Sequence, residues 1–149
     1  MKINSEFVEL LQAFNDENAR YLVVGAHAVA YHARPRATND FDVWVANDAE
    51  NARRIYRALA TFGAPLERLT VEDLVSDGLI FQIGVAPIRI DVITSVSGVS
   101  FEEAWPSRVG FDFAGVAANV IGRAELIRNK RAAGRLKDLA DIERLEHDG

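Results

Sequence analysis

Apolar residues recur at helical spacing at Phe7, Leu10, Leu11 and Phe14, and Ser5 is placed to cap them. The spacing predicts a helix from about Ser5 to Asn18. "RYLVVG" is a short apolar run ending in Gly25 and predicts a buried strand. "AHAVAYHA" predicts a helix stopped by Pro35, and "RPRATN" predicts a loop. "DFDVWV" alternates: Phe41, Val43 and Val45 fall on one face of a strand, and Asp40, Asp42 and Trp44 on the other. Asp48 is placed to cap a helix carrying Ile55, Tyr56, Leu59 and Phe62, which Gly63 and Pro65 end. Thr70 opens a short helix in "TVEDLVSDG". "LIFQIG" and "IRIDVI" read as strands joined by a tight turn at "VAP". Ser100 and Glu103 form a capping-box pattern. "RVGFDF" and "GVAANVIG" predict a second hairpin around Ala114–Gly115. Two helices close the chain, about Arg123 to Ala133 and Leu136 to Glu146, separated by Gly134.

This order predicts an α+β fold: a small mixed β-sheet with helices packed mainly on one side and a C-terminal helix pair. A doubly wound parallel sheet fits less well, because the later strands pair as hairpins. The 149 residues suit one domain. Its core is expected over about residues 1–100, with a C-terminal extension over about 101–149. The net charge of -5 argues against a surface that grips nucleic acid throughout. Without cysteine there are neither disulfides nor thiolate metal sites. No apolar run reaches the roughly 18–20 residues that span a membrane, and "MKINSEFVELL" lacks a signal-peptide pattern. A cytoplasmic protein without membrane partners is expected.

The alternation in "DFDVWV" raises a chemical question. Asp40 and Asp42 share a face, and aspartate is depleted inside strands. In "IRIDVIT", Arg89, Asp91 and Ile93 share a face. If that strand lies beside "DFDVWV", Asp91 joins the other two. Three converging carboxylates are costly without a cation. Magnesium suits them, being hard and held by a few carboxylates plus substrate phosphates. Two such ions about 3.5–4 Å apart can clamp an in-line displacement at phosphorus. Upstream, Gly25 ends a strand and opens a helix whose free N–H groups attract phosphate.

Gly25–Ala26, Asp40-x-Asp42 and Asp91 together resemble the signature of the DNA polymerase β-like nucleotidyltransferase superfamily. "LVVGAHAVAYHARPRATNDFDVWV" is similar to bacterial minimal nucleotidyltransferases, akin to those of abortive-infection toxin–antitoxin systems. The likeness extends through "FQIGVAPIRIDVITSVSGVSFEEAW" and "LIRNKRAAGRLKDLADIERL". The resemblance implies a nucleotidyltransferase-like fold in which Asp40 and Asp42 hold two magnesium ions. Asp91 would be the third carboxylate, a ligand of the catalytic metal that helps activate an attacking hydroxyl. Gly25 and Ala26 would lie against a nucleoside triphosphate. Ala26 stands where the superfamily usually has serine or glycine, so a hydroxyl contact is lost and the backbone N–H remains. His27 is read as a solvent-facing or packing residue rather than a ligand.

Arg36 and Thr38 fit the family's Arg-x-Thr-x-Asp-x-Asp pattern, while Arg34 reads as a surface loop arginine. Arginine suits phosphate because its planar fork bonds two oxygens. By the same resemblance Lys130, Lys137 and Asp138 belong to the site. Their sequence context alone reads as a basic helix face, with Asp138 an ordinary first-turn acid and Lys137–Asp141 an i,i+4 pair. Trp44 reads as core. The implied activity moves a nucleoside monophosphate to a hydroxyl on RNA or protein. Two rivals stand beside it. One is a catalytically inactive binding module, antitoxin-like, with a protein partner; the other is a metal-dependent phosphohydrolase.

Overall fold

Local signals place most of the elements. The structure, a computed structural model, describes residues 5–33, 40–84 and 88–147. In chain order these form α1 (Ser5–Asp16), β1 (Tyr21–Val24), α2 (Gly25–His32), β2 (Asp40–Val45), α3 (Ala49–Phe62), α4 (Val71–Val75), β3 (Ile80–Ile83) and β4 (Arg89–Ile93). Then come α5 (Phe101–Ala104), a 3-10 turn at Trp105–Ser107, β5 (Val109–Phe113), β6 (Val116–Val120), α6 (Arg123–Ala133) and α7 (Leu136–His147). The Asp48 side chain accepts from Asn51 N and caps α3, which Gly63 ends in a left-handed conformation. Thr70 and Ser100 each form the reciprocal capping box, with Asp73 and Glu103. The expected turn at "VAP" and the loop carrying Arg34, Arg36 and Thr38 lie outside the described residues.

One six-stranded sheet runs in the order β3-β4-β2-β1-β6-β5. β2 pairs parallel with β4, and β1 parallel with β6; β1–β2, β3–β4 and β5–β6 are antiparallel. The sheet is therefore mixed, as the hairpin pattern predicts. The β5–β6 hairpin, from the C-terminal third, joins the sheet beside β1.

The alternation in β2 separates two chemistries. Phe41, Val43 and Val45 are buried with Phe7, Leu10, Leu11 and Phe14 of α1 and with Ile55 and Leu59 of α3. Phe7 stacks on Phe41 with ring centroids 4.6 Å apart. The opposite face carries Asp40, Asp42 and Trp44. Trp44 is core, as expected, and meets Phe101 of α5 edge-on at 5.2 Å. The α6–α7 pair stands over the aspartate end of this face. Arg123 anchors it, donating to the His32 carbonyl at 2.7 Å and the Leu145 carbonyl at 2.8 Å.

Candidate active site

Three strands bring the acidic residues together. β4 lies parallel beside β2 in a register that sets Asp91 opposite Asp42 and Arg89 opposite Asp40. On the other side, β1 places Val24 opposite Asp42 and then turns into α2 at Gly25. Asp42 is thus bracketed by Gly25 and Asp91. Gly25 has φ +66, and a Cβ there would fall onto the Asp42 carboxylate. Both the backbone conformation and the close approach call for glycine.

The carboxylates raise each other's proton affinity. The Asp42 pKa is pushed up to about 6, first by burial and then by Asp91 and Asp40, with Arg89 and Lys130 pulling the other way. Asp91 is also raised, by burial first and by Asp40, against the opposing pull of Arg89. Arg89 Nε lies 3.2 Å from Asp91 Oδ1. The two atoms are misaligned for a hydrogen bond, and both are buried without any hydrogen-bond partner. Arg89 was the signal least used in the sequence, although alternation alone puts it on Asp91's face.

Facing the sheet across a cleft of about 680 Å³ is a basic wall. Gly25, Ala26, Asp40 and Asp42 line one side; Lys130, Arg135, Lys137 and Arg144 line the other. Asp91 sits beside Asp42 in the sheet but does not line this cleft. Asp138 does not line it either. It is buried beneath the wall, where it accepts from Arg135 Nε at 2.7 Å, from the Arg135 backbone N at 3.2 Å and from Lys130 Nζ at 3.3 Å. Burial raises its pKa, but these cationic donors outweigh burial and hold it below the usual carboxylate range. Asp141 lines the cleft and lies 3.0 Å from Lys130 Nζ. The sequence read Asp141 as a local partner of Lys137; the fold also brings it the long-range cation Lys130. Arg144, absent from the sequence-predicted site, joins the wall because it is one helical turn beyond Asp141.

His27 is a packing residue. It is 3% exposed, wedged edge-on between Phe7 and Phe41, and neither ring nitrogen has a hydrogen-bond partner. Burial drives its pKa down to about 4. Among the described residues, no three His, Asp or Glu side chains are gathered closely enough to hold a metal ion alone. The donor chemistry still suits magnesium. Asp40 and Asp42 offer hard oxygens to the cleft, burial and then repulsion from Asp91 and Asp40 raise Asp42, and Asp91 Oδ1 is left without a hydrogen-bond donor. Such an ion completes its shell with water and phosphate oxygens.

No protein-family model matches the chain. No curated protein matches it by sequence. Solved structures do match. The lincosamide antibiotic adenylyltransferase LnuA, bound to lincomycin, superposes with a TM-score of 0.61 at 11% identity over 98% of each chain. A Thermotoga maritima protein assigned to the nucleotidyltransferases gives 0.57 at 15% identity, covering 97% of this chain and 92% of that one. An antigenic nucleotidyltransferase-like protein from Paracoccidioides brasiliensis gives 0.54 at 16%, covering 93% and 71%. Over nearly its whole length, this chain has the fold of a minimal nucleotidyltransferase.

Proposed function

We propose that the protein is a magnesium-dependent nucleotidyltransferase that moves a nucleoside monophosphate from a triphosphate to an acceptor hydroxyl. One observation carries this reading: a glycine-opened helix and an Asp-x-Asp strand face a wall of lysine and arginine across one cleft. The opposed charges suit a cation–triphosphate pair. Asp40 and Asp42 would hold magnesium, with Asp91 beside them; the ion would neutralise charge on the phosphates. Gly25 and Ala26 present backbone N–H groups at the start of α2. Lys130, Arg135, Lys137 and Arg144 attract the phosphates and the leaving pyrophosphate.

In the reaction, the acceptor oxygen bonds to the α-phosphorus. The bond from that phosphorus to the α–β bridging oxygen breaks, and pyrophosphate departs with the electron pair. Asp91, opposite Asp42 in the sheet, would take the hydroxyl proton as the acceptor attacks. Rate enhancement comes mainly from positioning and charge neutralisation.

The test is thermal unfolding with each nucleoside triphosphate, with and without magnesium, beside Asp42→Asn. A ligand that binds only the folded state raises its stability. The expected result is a magnesium-dependent shift that the variant loses, followed by transfer of an α-phosphate label. A folded protein that shows no shift with any nucleotide would instead favour an inactive binding module.

A further inference from the structure

The basic wall holds one side chain that the transfer step does not use. Among the described residues of α6 and α7, Asp141 is the single carboxylate lining the cleft. It is 6% exposed, and its Oδ2 lies 3.0 Å from Lys130 Nζ. Lys137 lies one helical turn before it on α7 and Arg144 one turn after, so the three share a helix face and all line the cleft. A carboxylate set among phosphate-binding cations works against phosphate, and burying it costs desolvation. Balancing Lys130 does not by itself call for an acid at the cleft, since Asp138 pairs with the same Nζ from beneath the wall at 3.3 Å.

We infer that Asp141 is a specificity-determining residue: it accepts hydrogen bonds from the ribose hydroxyls of the donor, so that the site selects a ribonucleoside triphosphate over its 2′-deoxy form. The inference rests on the nucleotidyl-transfer reading and names the sugar of its donor. An ionised carboxylate only accepts, and the donors on a nucleoside triphosphate are the ribose hydroxyls and the N–H groups of the base. Asp141 stands between Lys137 and Arg144, which attract the phosphates. The sugar is joined directly to those phosphates, so it comes within reach of Asp141 before the base does. Carboxylates serve as acceptors for a ribose 2′-hydroxyl at other nucleotide sites. One carboxylate can accept about four hydrogen bonds, so pairing with Lys130 is compatible with this role. The same pairing makes Asp141 a poor ligand for a further magnesium ion, because Lys130 already balances its charge.

Calorimetric titration of the full chain with magnesium tests this, comparing each of ATP, GTP, CTP and UTP with its 2′-deoxy counterpart. A ribonucleotide that binds is expected to do so about tenfold more tightly than its deoxy form, as one hydrogen bond to a charged group allows. Asp141→Ala should bring that ratio below about twofold. Asp141→Asn preserves the shape and one acceptor oxygen without the charge, and should lower the ratio to about threefold; it carries the test on its own if the alanine variant does not fold. Lys137→Ala and Asp138→Asn should weaken both forms equally, the first by removing a phosphate contact and the second by disturbing Lys130. Equal binding of both sugars by the parent, or an unchanged ratio in the Asp141 variants, overturns the inference and leaves Asp141 a structural partner of Lys130. Selection among bases that is lost in Asp141→Asn, without regard to the 2′-hydroxyl, overturns it in favour of a base N–H at Asp141. Absence of binding by any nucleotide overturns it together with the transferase reading; failure of the inference alone shows instead as nucleotides that bind whatever their sugar.

Discussion

Asp42 carries the heaviest cost of any single side chain in the site. It is mostly buried beside two other carboxylates, and the pull of Arg89 and Lys130 offsets these only in part. A folded-state pKa near 6, above the ordinary 3.8, means that its contribution to stability is fully present below pH 3.8 and is lost as pH rises through 6. At pH 7.5, without magnesium, Asp42→Asn should therefore unfold at a higher temperature, by about 2 kcal/mol or a few degrees. The same variant should lose nucleotidyl transfer. A metal-free variant less stable than the parent would show that Asp42 is structural. His27 titrates with the opposite sign. Its folded pKa of about 4 lies below the ordinary 6.5, so its stabilising effect is present above pH 6.5 and falls away as the solution is acidified. By pH 5 this one group should cost about 2 kcal/mol. His27→Leu should flatten the denaturation midpoint between pH 6.5 and 5 relative to the parent. Parallel pH profiles would mean that the ring reaches water.

At the scale of elements, the helix caps were legible because each is encoded within four residues. Asp48, Thr70 and Ser100 bond the turns they begin, whatever the tertiary fold does. Strand alternation was equally legible, and it correctly put Asp91 on the face that meets Asp42. The basic wall was less so. Resemblance singled out Lys130, Lys137 and Asp138, but the bond from Lys130 to Asp138 crosses the α6–α7 turn, and sequence spacing cannot tell which helix face meets which. That turn makes Asp138 a positioning residue: it holds Lys130 and Arg135 at the cleft without lining it. Asp138→Ala should destabilise the protein by about 3 kcal/mol, because Lys130 loses a buried partner. It should also raise KM for the triphosphate more than it lowers kcat. Lys137→Ala, at an exposed position, should leave unfolding within about 0.5 kcal/mol and still raise KM. Equal stability losses in both variants would refute the division between positioning and contact.

For the molecule as a whole, the two sides of the cleft are built differently. The acidic side belongs to the centre of the sheet, where β1, β2 and β4 lock one another in register. The basic side belongs to α6 and α7, which follow the last strand; Leu126 and Leu145 join the core, and α7 packs on α6 and touches α2. Opposite charges across a water-filled gap attract weakly, since salt screens them. A triphosphate with magnesium would tie the sides directly, so binding should be felt most by the less anchored one. Amide hydrogen exchange can read this, because protection tracks local opening. Adding magnesium and the preferred triphosphate should slow exchange in α6, α7 and the first turn of α2. The outer β5–β6 hairpin, on the far side of β1, should be unchanged. Magnesium pyrophosphate should give part of the effect, since it offers phosphate oxygens without a base or sugar. The Asp42→Asn variant should show none of it. Protection confined to α6 and α7, and persisting in that variant, would mean that the basic wall binds anions independently of the aspartates. The cleft would then be an anion site beside an acidic strand rather than one active site spanning both.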